Sequence, residues 1–342
     1  MKDLLSLTYR ELEEYIISLG EPVYRAKQIM SWLNKGCDIE EMNNIPKALK
    51  DKLRQNGACV HGVKLKKKYV SKDGTVKYLF SLFDGELIES VLMNYKHGYS
   101  VCISSEAGCP MGCKFCASTV GGLKRKLEPG ELLGQVIYAQ NDCGEKLSGI
   151  VLMGIGEPLD NYDSVLKFLK IVGSAESLNI GYRHISLSTC GIVDKIYMLA
   201  KENIPITLSI SLHASNDEAR SKIMPVNKRW NIEQLLNACS EYFQTTKRKI
   251  SFEYSLANGV NDTPKHAREL AAVLKKYCKD MPLHVNLIPI NETGRGFSPS
   301  ENSNIRMFVN ILTNERITAT VRRHLGGDIN ASCGQLRSGE VE

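Results

Sequence analysis

Short apolar runs recur along most of the chain, and their spacing predicts a parallel sheet. Six such runs follow residue 98; they are rich in Ile, Val, Leu and Ser, and segments long enough for a helix separate most of them. Apolar runs of this kind are typical of strands that are buried on both faces. The runs are YSVCISS, SGIVLMG, RHISLST, PITLSIS, KISFEYSL and LHVNLIP, and the helical segments include 131–141, 162–174, 232–245 and 264–277. We therefore predict an α/β fold, a (β/α)6 sheet that is open or partly barrel-shaped, with its chemistry at the C-terminal ends of the strands.

The chain before these runs has a helical pattern. Thr8 and Glu11 form a capping box, apolar residues follow at helical spacing, and Gly20 suits the end of this first helix. A second helix is expected to begin near Pro22. Residues 1–60 are therefore predicted to form a small helical accessory domain.

The pattern changes again over residues 61–95. Two short runs typical of strands, KKYVS and VKYLFSLF, flank the turn at Asp73 and Gly74 and predict a β-hairpin. We therefore divide the chain into the helical domain, this β-hairpin extension, and a main α/β domain over residues 96–342.

Charge changes this picture only slightly. The 342 residues carry a formal net charge of +6, which is compatible with a polyanionic partner but is not that of a dedicated basic arm. Three short basic clusters stand out, and each alone is also what an ordinary solvated face would show. The clusters are Lys64–Lys68, Lys124–Lys126 and Lys247–Lys249.

Targeting signals and cysteine use bear on the cellular compartment. The N-terminal stretch is acidic and lacks an uninterrupted apolar core, and the sequence has no apolar run of about 18 residues. We therefore expect a cytoplasmic protein with no membrane partner. Its 11 cysteines, an odd number, are then expected to be thiols, metal ligands or catalytic groups rather than a disulfide framework.

Three cysteines lie close together in the stretch CISSEAGCPMGCKFCAS. Cys109, Cys113 and Cys116 form a C-x3-C-x2-C pattern after the first strand of the predicted sheet, and Cys102 lies seven residues upstream. A closed zinc site usually has four ligands in two C-x2-C pairs. A zinc site completed by Cys102 or a distant His is thus one interpretation, and an iron-sulfur cluster with one open iron is the other.

The C-x3-C-x2-C pattern, with Phe115 just before the last cysteine, resembles that of the radical S-adenosylmethionine (SAM) superfamily. The resemblance implies that Cys109, Cys113 and Cys116 bind a [4Fe-4S] cluster. It also implies that the open iron chelates SAM through its amino and carboxylate groups, and that one electron cleaves SAM to a 5′-deoxyadenosyl radical.

Polar residues at the ends of later strands are candidates for binding SAM. The GIGEP segment lacks the third glycine of a dinucleotide fingerprint and instead resembles the superfamily motif that holds the methionine amino group. Each of the other candidates, taken singly, is also what a satisfied polar group at a strand end would look like. The candidates are Gly156, Glu157, Ser188, Ser211, Leu212, His213 and Asn291.

Five motifs occur together and in order over nearly the whole chain: CISSEAGCPMGCKFCAS, GIGEP, LSISLHASND, NLIPIN and CGQL. They resemble the RlmN type of radical SAM RNA methyltransferase, which methylates C2 of adenine in 23S rRNA and in tRNA. The Cfr type, which methylates C8 and confers antibiotic resistance, is the nearest alternative; the Gly-Glu-Pro and IPIN segments favour the first type. A non-catalytic, metal-containing RNA-binding module is a third hypothesis.

The resemblance implies a role for three more residues. Cys333 would be methylated on sulfur by one SAM, and a second SAM would give the radical that removes a hydrogen from that methyl group. The methylene would add to the RNA base, Glu89 would accept the C2 proton, and Cys102 would release the RNA by forming a transient disulfide with Cys333. Without the resemblance, Glu89 would be interpreted as a solvent-facing strand residue.

The remaining expectations concern partners and loops. We expect the helical domain and the first two basic clusters to contact RNA, together with Arg322, Arg323 and His324. We also expect an external electron donor such as flavodoxin, and we expect the protein to be a monomer.

The loop before Cys333 departs from the family pattern at Asn330 and Ser332, which bears on how that loop is positioned. Four further cysteines are expected to serve only in packing: Cys143, Cys190, Cys239 and Cys278.

Overall fold

The computed structural model describes residues 1–291 and 293–337, and within these ranges it has fourteen strands and ten α-helices. The strands are β1 (Lys2–Asp3), β2 (Ala58–Cys59), β3 (Lys64–Val70), β4 (Val76–Ser81), β5 (Leu87–Tyr95), β6 (Gly98–Cys102), β7 (Glu106–Gly108), β8 (Leu123–Lys126), β9 (Gly149–Leu152), β10 (Ile185–Thr189), β11 (Thr207–Ser211), β12 (Ile250–Leu256), β13 (His284–Pro289) and β14 (Thr318–Val321). The helices are α1 (Tyr9–Ser18), α2 (Tyr24–Leu33), α3 (Lys47–Gln55), α4 (Pro129–Cys143), α5 (Tyr162–Val172), α6 (Val193–Lys201), α7 (Asp217–Ile223), α8 (Ile232–Thr246), α9 (Pro264–Tyr277) and α10 (Asn302–Asn314).

The main sheet has ten strands in the order β14-β13-β12-β11-β10-β9-β6-β5-β4-β3. Each of the six predicted apolar runs forms one of the parallel strands β6 and β9 to β13, so this prediction is confirmed. Strand β14 adds a seventh parallel strand that the sequence did not predict, because its four residues are mostly exposed. The parallel part is a partial (β/α)6 barrel, and its strands end together on one side.

The two faces of the parallel strands differ more than the apolar runs predict. On β10 and β11, Leu187 and Leu208 are fully buried in the core. Alternate residues point to the other face because the side-chain period of a strand is two. There Ser186 lies 3.1 Å from Ser209, oxygen to oxygen. The strands are thus largely buried on both faces, as predicted, but the inner face is polar and lines the barrel interior.

The helical segment at the N-terminus packs on the barrel. Helix α1 begins after the predicted capping box, in which the Thr8 backbone N–H donates to Glu11 Oε2 at 2.8 Å. The predicted second helix is α2, and α3 was not predicted. Leu12 and Ile29 belong to the same buried apolar cluster as Val136 of α4, so these helices share the core of the barrel.

Strands β3, β4 and β5 are antiparallel and continue the barrel sheet beyond β6. The predicted hairpin is thus confirmed as β3 and β4, joined through the turn at Asp73 and Gly74. Strand β3 is the last strand of the sheet, and most of its residues are exposed. In the described part of the chain, no helix combines the length and the apolar character needed to cross a membrane.

Candidate active site

A cavity lies at the C-terminal ends of the barrel strands. It contains about 950 Å³ of space, part of which is open to solvent. Ten of the predicted site residues line it: Cys109, Cys113, Cys116, Gly156, Glu157, Ser188, Ser211, His213, Asn291 and Cys333. Leu212, Cys102 and Glu89 are buried and do not line it.

The three clustered cysteines lie on a loop that the short ribbon of β7 and β8 supports. The Cys109 N–H donates to the Gly122 carbonyl at 3.2 Å, and the Cys116 N–H donates to the Cys113 carbonyl at 3.2 Å. Burial raises the pKa of all three thiols, that of Cys113 to about 12. Such thiols are protonated at neutral pH, and a metal that binds them displaces their protons.

The arrangement of the three thiols suits a cluster better than a single ion. In the described ranges, no three Cys, His, Asp or Glu side chains converge as ligands of one metal ion. A [4Fe-4S] cluster takes each thiolate on a different iron, so its ligands surround a volume instead of a point. Cys109, Cys113 and Cys116 line one cavity. The donor set therefore fits the cluster, and a zinc ion less well.

The turn after β9 brings Gly156 and Glu157 to the cavity. Gly156 has φ +104°, and a Cβ there would lie 2.6 Å from the Cβ of Glu106, so only glycine fits. The Glu157 carboxylate is buried and accepts hydrogen bonds from the N–H groups of Leu159, at 3.0 Å, and Cys190, at 2.7 Å. Both oxygens are thus held in place.

Glu106 is a buried acid beside this turn that sequence reasoning missed. Its Oε2 accepts a hydrogen bond from the Glu157 N–H at 2.8 Å, and its buried Oε1 has no hydrogen-bond partner among the described residues. Burial raises its pKa to about 8, opposed by that hydrogen bond and reinforced by Asp160. Its only sequence signal is an acidic residue directly after an apolar run.

The ends of β10 and β11 contribute hydroxyl groups and an imidazole. Ser188 and Ser211 lie 3.5 Å apart, oxygen to oxygen. The Ser255 N–H donates to Nδ1 of His213 at 2.9 Å, so the ring carries its proton on Nε2. Burial, together with the nearby Arg220, lowers the pKa of His213 to about 3. His213 is therefore a neutral hydrogen-bond donor in the cavity.

Arg220 lies beneath these strand ends and was also missed. Its guanidinium is fully buried and donates to the carbonyl groups of Cys190, at 2.6 Å, and Leu212, at 3.1 Å. Leu212 therefore contributes to the site through its backbone, since its side chain is buried in the core. Arg220 thus ties the β10 and β11 loops together below the cavity.

Cys333 and Cys102 lie on the side of the cavity formed by the C-terminal loop. Cys333 is half-buried, whereas Cys102 is buried in a small apolar cluster with Ile155 and Ala331. Burial, and secondly the nearby Cys333, raise the pKa of Cys102 to about 12. Arg322 lines the same cavity, and its pKa is raised, chiefly by Cys333. Both cysteines are free thiols.

The C-terminal loop is fixed on both sides of Cys333. Asn291 Nδ2 donates to the Cys333 carbonyl at 2.9 Å, and the Ala117 N–H donates to the Gly334 carbonyl at 2.8 Å. Asn330 has φ +51°, a conformation that asparagine tolerates well. Ser332 donates from its hydroxyl to the Leu325 carbonyl at 2.8 Å. The two residues that depart from the family pattern therefore suit this loop.

Glu89 is buried and does not face solvent as its strand position alone suggested. Its carboxylate lies 2.9 Å from Nζ of Lys77 and accepts a hydrogen bond from the Arg337 N–H at 2.8 Å. Burial raises the pKa of Glu89, and the Lys77 charge opposes that effect. Lys77 was not singled out from the sequence, although a lysine inside the apolar run VKYLF was a signal.

The predicted RNA-contact residues have different surroundings. In the Lys124–Lys126 cluster, Arg125 donates two hydrogen bonds of 2.7 Å to Glu131 and a third, of 3.1 Å, to Asp84. Arg322 lines the cavity. These two guanidinium groups are therefore not free for phosphates on an outer surface. On β3, Lys68 is also paired, 2.7 Å from Asp142, whereas Lys64 and Lys67 are exposed.

Two of the four cysteines assigned to packing are fully buried in the core, Cys239 and Cys278. Cys143 is half-buried beside the end of α4. Cys190 lines the cavity and donates its backbone N–H to Glu157, so packing alone does not describe it.

Two protein-family models match the chain. The model of the radical SAM superfamily matches residues 103–271, and the model of the ribosomal RNA large subunit methyltransferase N-terminal domain matches residues 2–60. The first range holds the three clustered cysteines and the ends of β9 to β12, whereas β13 and Cys333 lie beyond it.

Full-length relatives share about half of their residues with this chain. A protein of Clostridium tetani named "Probable dual-specificity RNA methyltransferase RlmN" is 50% identical over 98% of this chain and 96% of its own. A Clostridium botulinum protein of the same name is 51% identical over 100% of this chain and 98% of its own. The crystal structure of a radical SAM methyltransferase from Sphaerobacter thermophilus superposes with a TM-score of 0.93, at 40% identity, over 98% of this chain and 99% of its own.

Proposed function

The chain belongs to the RlmN family of radical SAM RNA methyltransferases, and from this premise we propose that it methylates C2 of an adenosine in 23S rRNA and of an adenosine in tRNA. Family membership makes it an RNA methyltransferase; the carbon atom and the two RNAs are our proposal. The observation that carries it is the arrangement of Cys333, which shares a cavity with the three clustered cysteines while Cys102 is buried close by.

The cavity residues have separate roles in this proposal. Cys109, Cys113 and Cys116 would hold the [4Fe-4S] cluster that family membership implies. Gly156 and Glu157 would hold the methionine end of SAM. Ser188, Ser211, His213 and Asn291 would donate hydrogen bonds to its ribose and carboxylate, with Leu212 fixing the β11 turn. When bound, the cluster and SAM supply a 5′-deoxyadenosyl radical.

The chemistry of adenine explains why the protein needs a methyl carrier. C2 is an electron-poor carbon between two ring nitrogens, so it does not attack the methyl group of a sulfonium. The Cys333 sulfur can do so, losing its thiol proton as it takes the methyl group from one SAM. Loss of a hydrogen from that methyl group gives a carbon-centred radical that can add to C2, which joins the RNA to Cys333.

Release of the RNA requires a base and a second thiol. We assign the base to Glu89, which takes the proton from C2, and the thiol to Cys102. The adduct formed by radical addition carries an unpaired electron, which would return to the bound cluster as the C2 proton leaves. The Cys102 thiolate then bonds to the Cys333 sulfur, the bond between Cys333 and the methylene carbon breaks, and that carbon takes up a proton to become the methyl group. The resulting disulfide between Cys102 and Cys333 must accept two electrons from a thiol reductant before the next turnover. Arg322 supports this assignment because its charge favours the thiolate form of Cys102.

RNA binding in this proposal depends on phosphate contacts and on an unstacked base. The exposed lysines of β3 and the helical domain over residues 1–60 would contribute phosphate contacts. The target adenine must leave its stack to enter the cavity. We further propose that an external donor such as flavodoxin supplies the electron, and that the protein acts as a cytoplasmic monomer.

The test is an anaerobic reaction of the protein, with its cluster reconstituted, with SAM and either a 23S rRNA fragment or tRNA. Mass spectrometry of the digested nucleosides should detect 2-methyladenosine from the parent protein. The Cys102→Ala variant should retain RNA in a covalent adduct, and Cys333→Ala should give neither product nor adduct. Cys143→Ala, a half-buried cysteine outside the cavity, is the matched control and should behave as the parent.

Other outcomes would revise the proposal in different ways. An 8-methyladenosine product would overturn the C2 assignment and keep the two-cysteine mechanism. Product formation by Cys333→Ala would overturn the carrier mechanism. SAM cleavage without any methylated nucleoside would mean that neither RNA is the substrate.

A further inference from the structure

Lys77 and Glu89 form an ion pair inside the sheet. Lys77 Nζ lies 2.9 Å from Glu89 Oε1, on the adjacent antiparallel strands β4 and β5, and the two residues are only 4% and 3% exposed. A buried charge is costly unless it is paired, and an ion pair at such a position is often no more stable than an apolar pair of the same volume. Stability alone therefore gives little reason for a lysine at this position.

The pair also contacts the C-terminal loop on both sides of Cys333. Lys77 Nζ donates to the Asn330 carbonyl at 3.4 Å, and the Arg337 N–H donates to Glu89 Oε2 at 2.8 Å. Asn330 precedes Cys333 by three residues, and Arg337 follows it by four. The ion pair thus joins the proton acceptor of the proposed reaction to the loop that carries the methyl group.

The groups that face this pair come from three elements of the chain. The Lys77 ammonium group lies 4.9 Å from the centre of the Tyr69 ring on β3. Arg337 is the second positive charge that acts on Glu89, from the C-terminal segment. The Ser104 hydroxyl donates to the Glu89 backbone carbonyl at 2.6 Å, after β6. Lys77 is the only charged side chain in hydrogen-bond contact with the Glu89 carboxylate in the described residues.

We propose that Lys77 is a positioning residue for the release step, which holds Glu89 ionised and oriented towards the Cys333 loop. This inference rests on the proposed function, in which Glu89 accepts the C2 proton. Without the Lys77 charge, burial would leave Glu89 protonated at neutral pH, and a protonated carboxyl cannot accept the proton. Raising the pH would ionise Glu89 again and restore the step.

The experiment measures, in single turnovers from pH 7 to pH 9.5, the rate at which RNA is released from its covalent adduct with the protein. The rate of each variant is divided by that of the parent protein at the same pH. For Lys77→Met we expect a ratio of about one tenth or less at pH 7, because each unit by which the pKa of Glu89 rises lowers its ionised fraction about tenfold. The ratio should rise towards one at the alkaline end of the range. Lys77→Arg, which keeps the charge, should stay near one throughout. Glu89→Gln, which has no ionisable group, should stay low at every pH.

Two results would overturn the inference. A Lys77→Met ratio that does not change with pH, or a Lys77→Arg ratio as low as that of Lys77→Met, would reduce Lys77 to a packing role. If Lys77→Met does not fold, Lys77→Gln, which retains a hydrogen bond to the carboxylate, is used with the same criterion. Rapid release by Glu89→Gln would instead overturn the role of Glu89 itself, so the two failures are distinguishable.

Discussion

Nη1 of Arg322 donates a hydrogen bond to Sδ of Met153, the residue after β9, at 3.3 Å. The contact fixes a guanidinium group in the cavity that Cys333 lines. Arg322 also lowers the pKa of Cys102, against the larger effect of burial. An arginine that the sequence suggested as a phosphate contact is therefore an electrostatic neighbour of both thiols.

Replacing Arg322 with Met should slow release of RNA from the adduct. The pKa of Cys102 is about 12 with the arginine present, so its loss raises that pKa further and lowers the thiolate fraction at neutral pH. We expect the adduct to persist about tenfold longer for each unit by which the pKa rises. Denaturing gels of quenched reactions would measure its lifetime. Arg268→Met, at an exposed arginine of α9, should leave the lifetime unchanged.

The parent enzyme should release RNA faster as the pH rises. A thiol with a pKa near 12 is protonated below that value, and its thiolate fraction increases about tenfold per pH unit between pH 7 and pH 10. Release rates measured over that range should follow this increase if the Cys102 thiolate limits the step. A flat profile would show that another step limits release.

Gly156→Ala should destabilise the protein and abolish SAM binding. Its Cβ would overlap that of Glu106, and its φ of +104° is unfavourable for alanine. Gly85→Ala is the matched control, because Gly85 has φ +91° with open space around its Cβ position. The control measures only the loss of unfolding free energy from placing alanine at a positive φ, about 1–2 kcal/mol. Thermal melts should show a larger loss for Gly156→Ala, and calorimetry should detect SAM binding only by the control.

Glu106→Gln should change how stability depends on pH. The pKa of Glu106 is raised to about 8, so the folded protein holds a proton that the unfolded chain releases near 4.5. The stabilisation from this proton is complete below about 4.5 and is lost as the pH rises through 8, by up to about 1.4 kcal/mol per pH unit. Glutamine cannot ionise. Between pH 5 and pH 8 the variant should therefore lose less stability than the parent in denaturant titrations.

Charge reversal on β3 should weaken RNA binding. Lys64→Glu with Lys67→Glu alters two exposed side chains of the edge strand. If both lysines contact phosphates of single-stranded RNA, the plot of log affinity against log salt concentration should become less steep. Its slope should change by about 0.7 for each contact that is lost. Lys201→Glu with Lys249→Glu is the control of equal charge. Equal affinities for the two double variants, measured by filter binding at several salt concentrations, would exclude β3 from the interface.

The sequence predicted the strands and the residues at their ends because both follow from local pattern. The six apolar runs and the capping box at Thr8 are local signals, and each is found where it was expected. Ten of the thirteen predicted site residues likewise share one cavity, because the cysteine spacing and the positions after the strands are local signals as well; their roles stay predictions.

Contacts between distant segments explain what the sequence did not reveal. Lys77 meets Glu89 only because β4 pairs with β5, and Arg220 acquires its role only when α7 packs beneath the β10 and β11 turns. Arg125 was assigned to RNA because its neighbours in sequence are basic, yet its partners, Asp84 and Glu131, come from other elements. Basic character is readable from one segment, whereas the availability of a charge depends on its partners in space.

The lysines of β3 have a consequence for the protein in a crowded solution. The last strand of a ten-stranded sheet has no neighbouring strand on its outer side among the described residues, and the edge of another molecule could add there by hydrogen bonding. Two such edges brought together would align rows of positive charge, and their repulsion opposes aggregation. A polyanion would be attracted to the same edge, so under the proposed function the charge of this strand would favour a nucleic acid over a second copy of the chain.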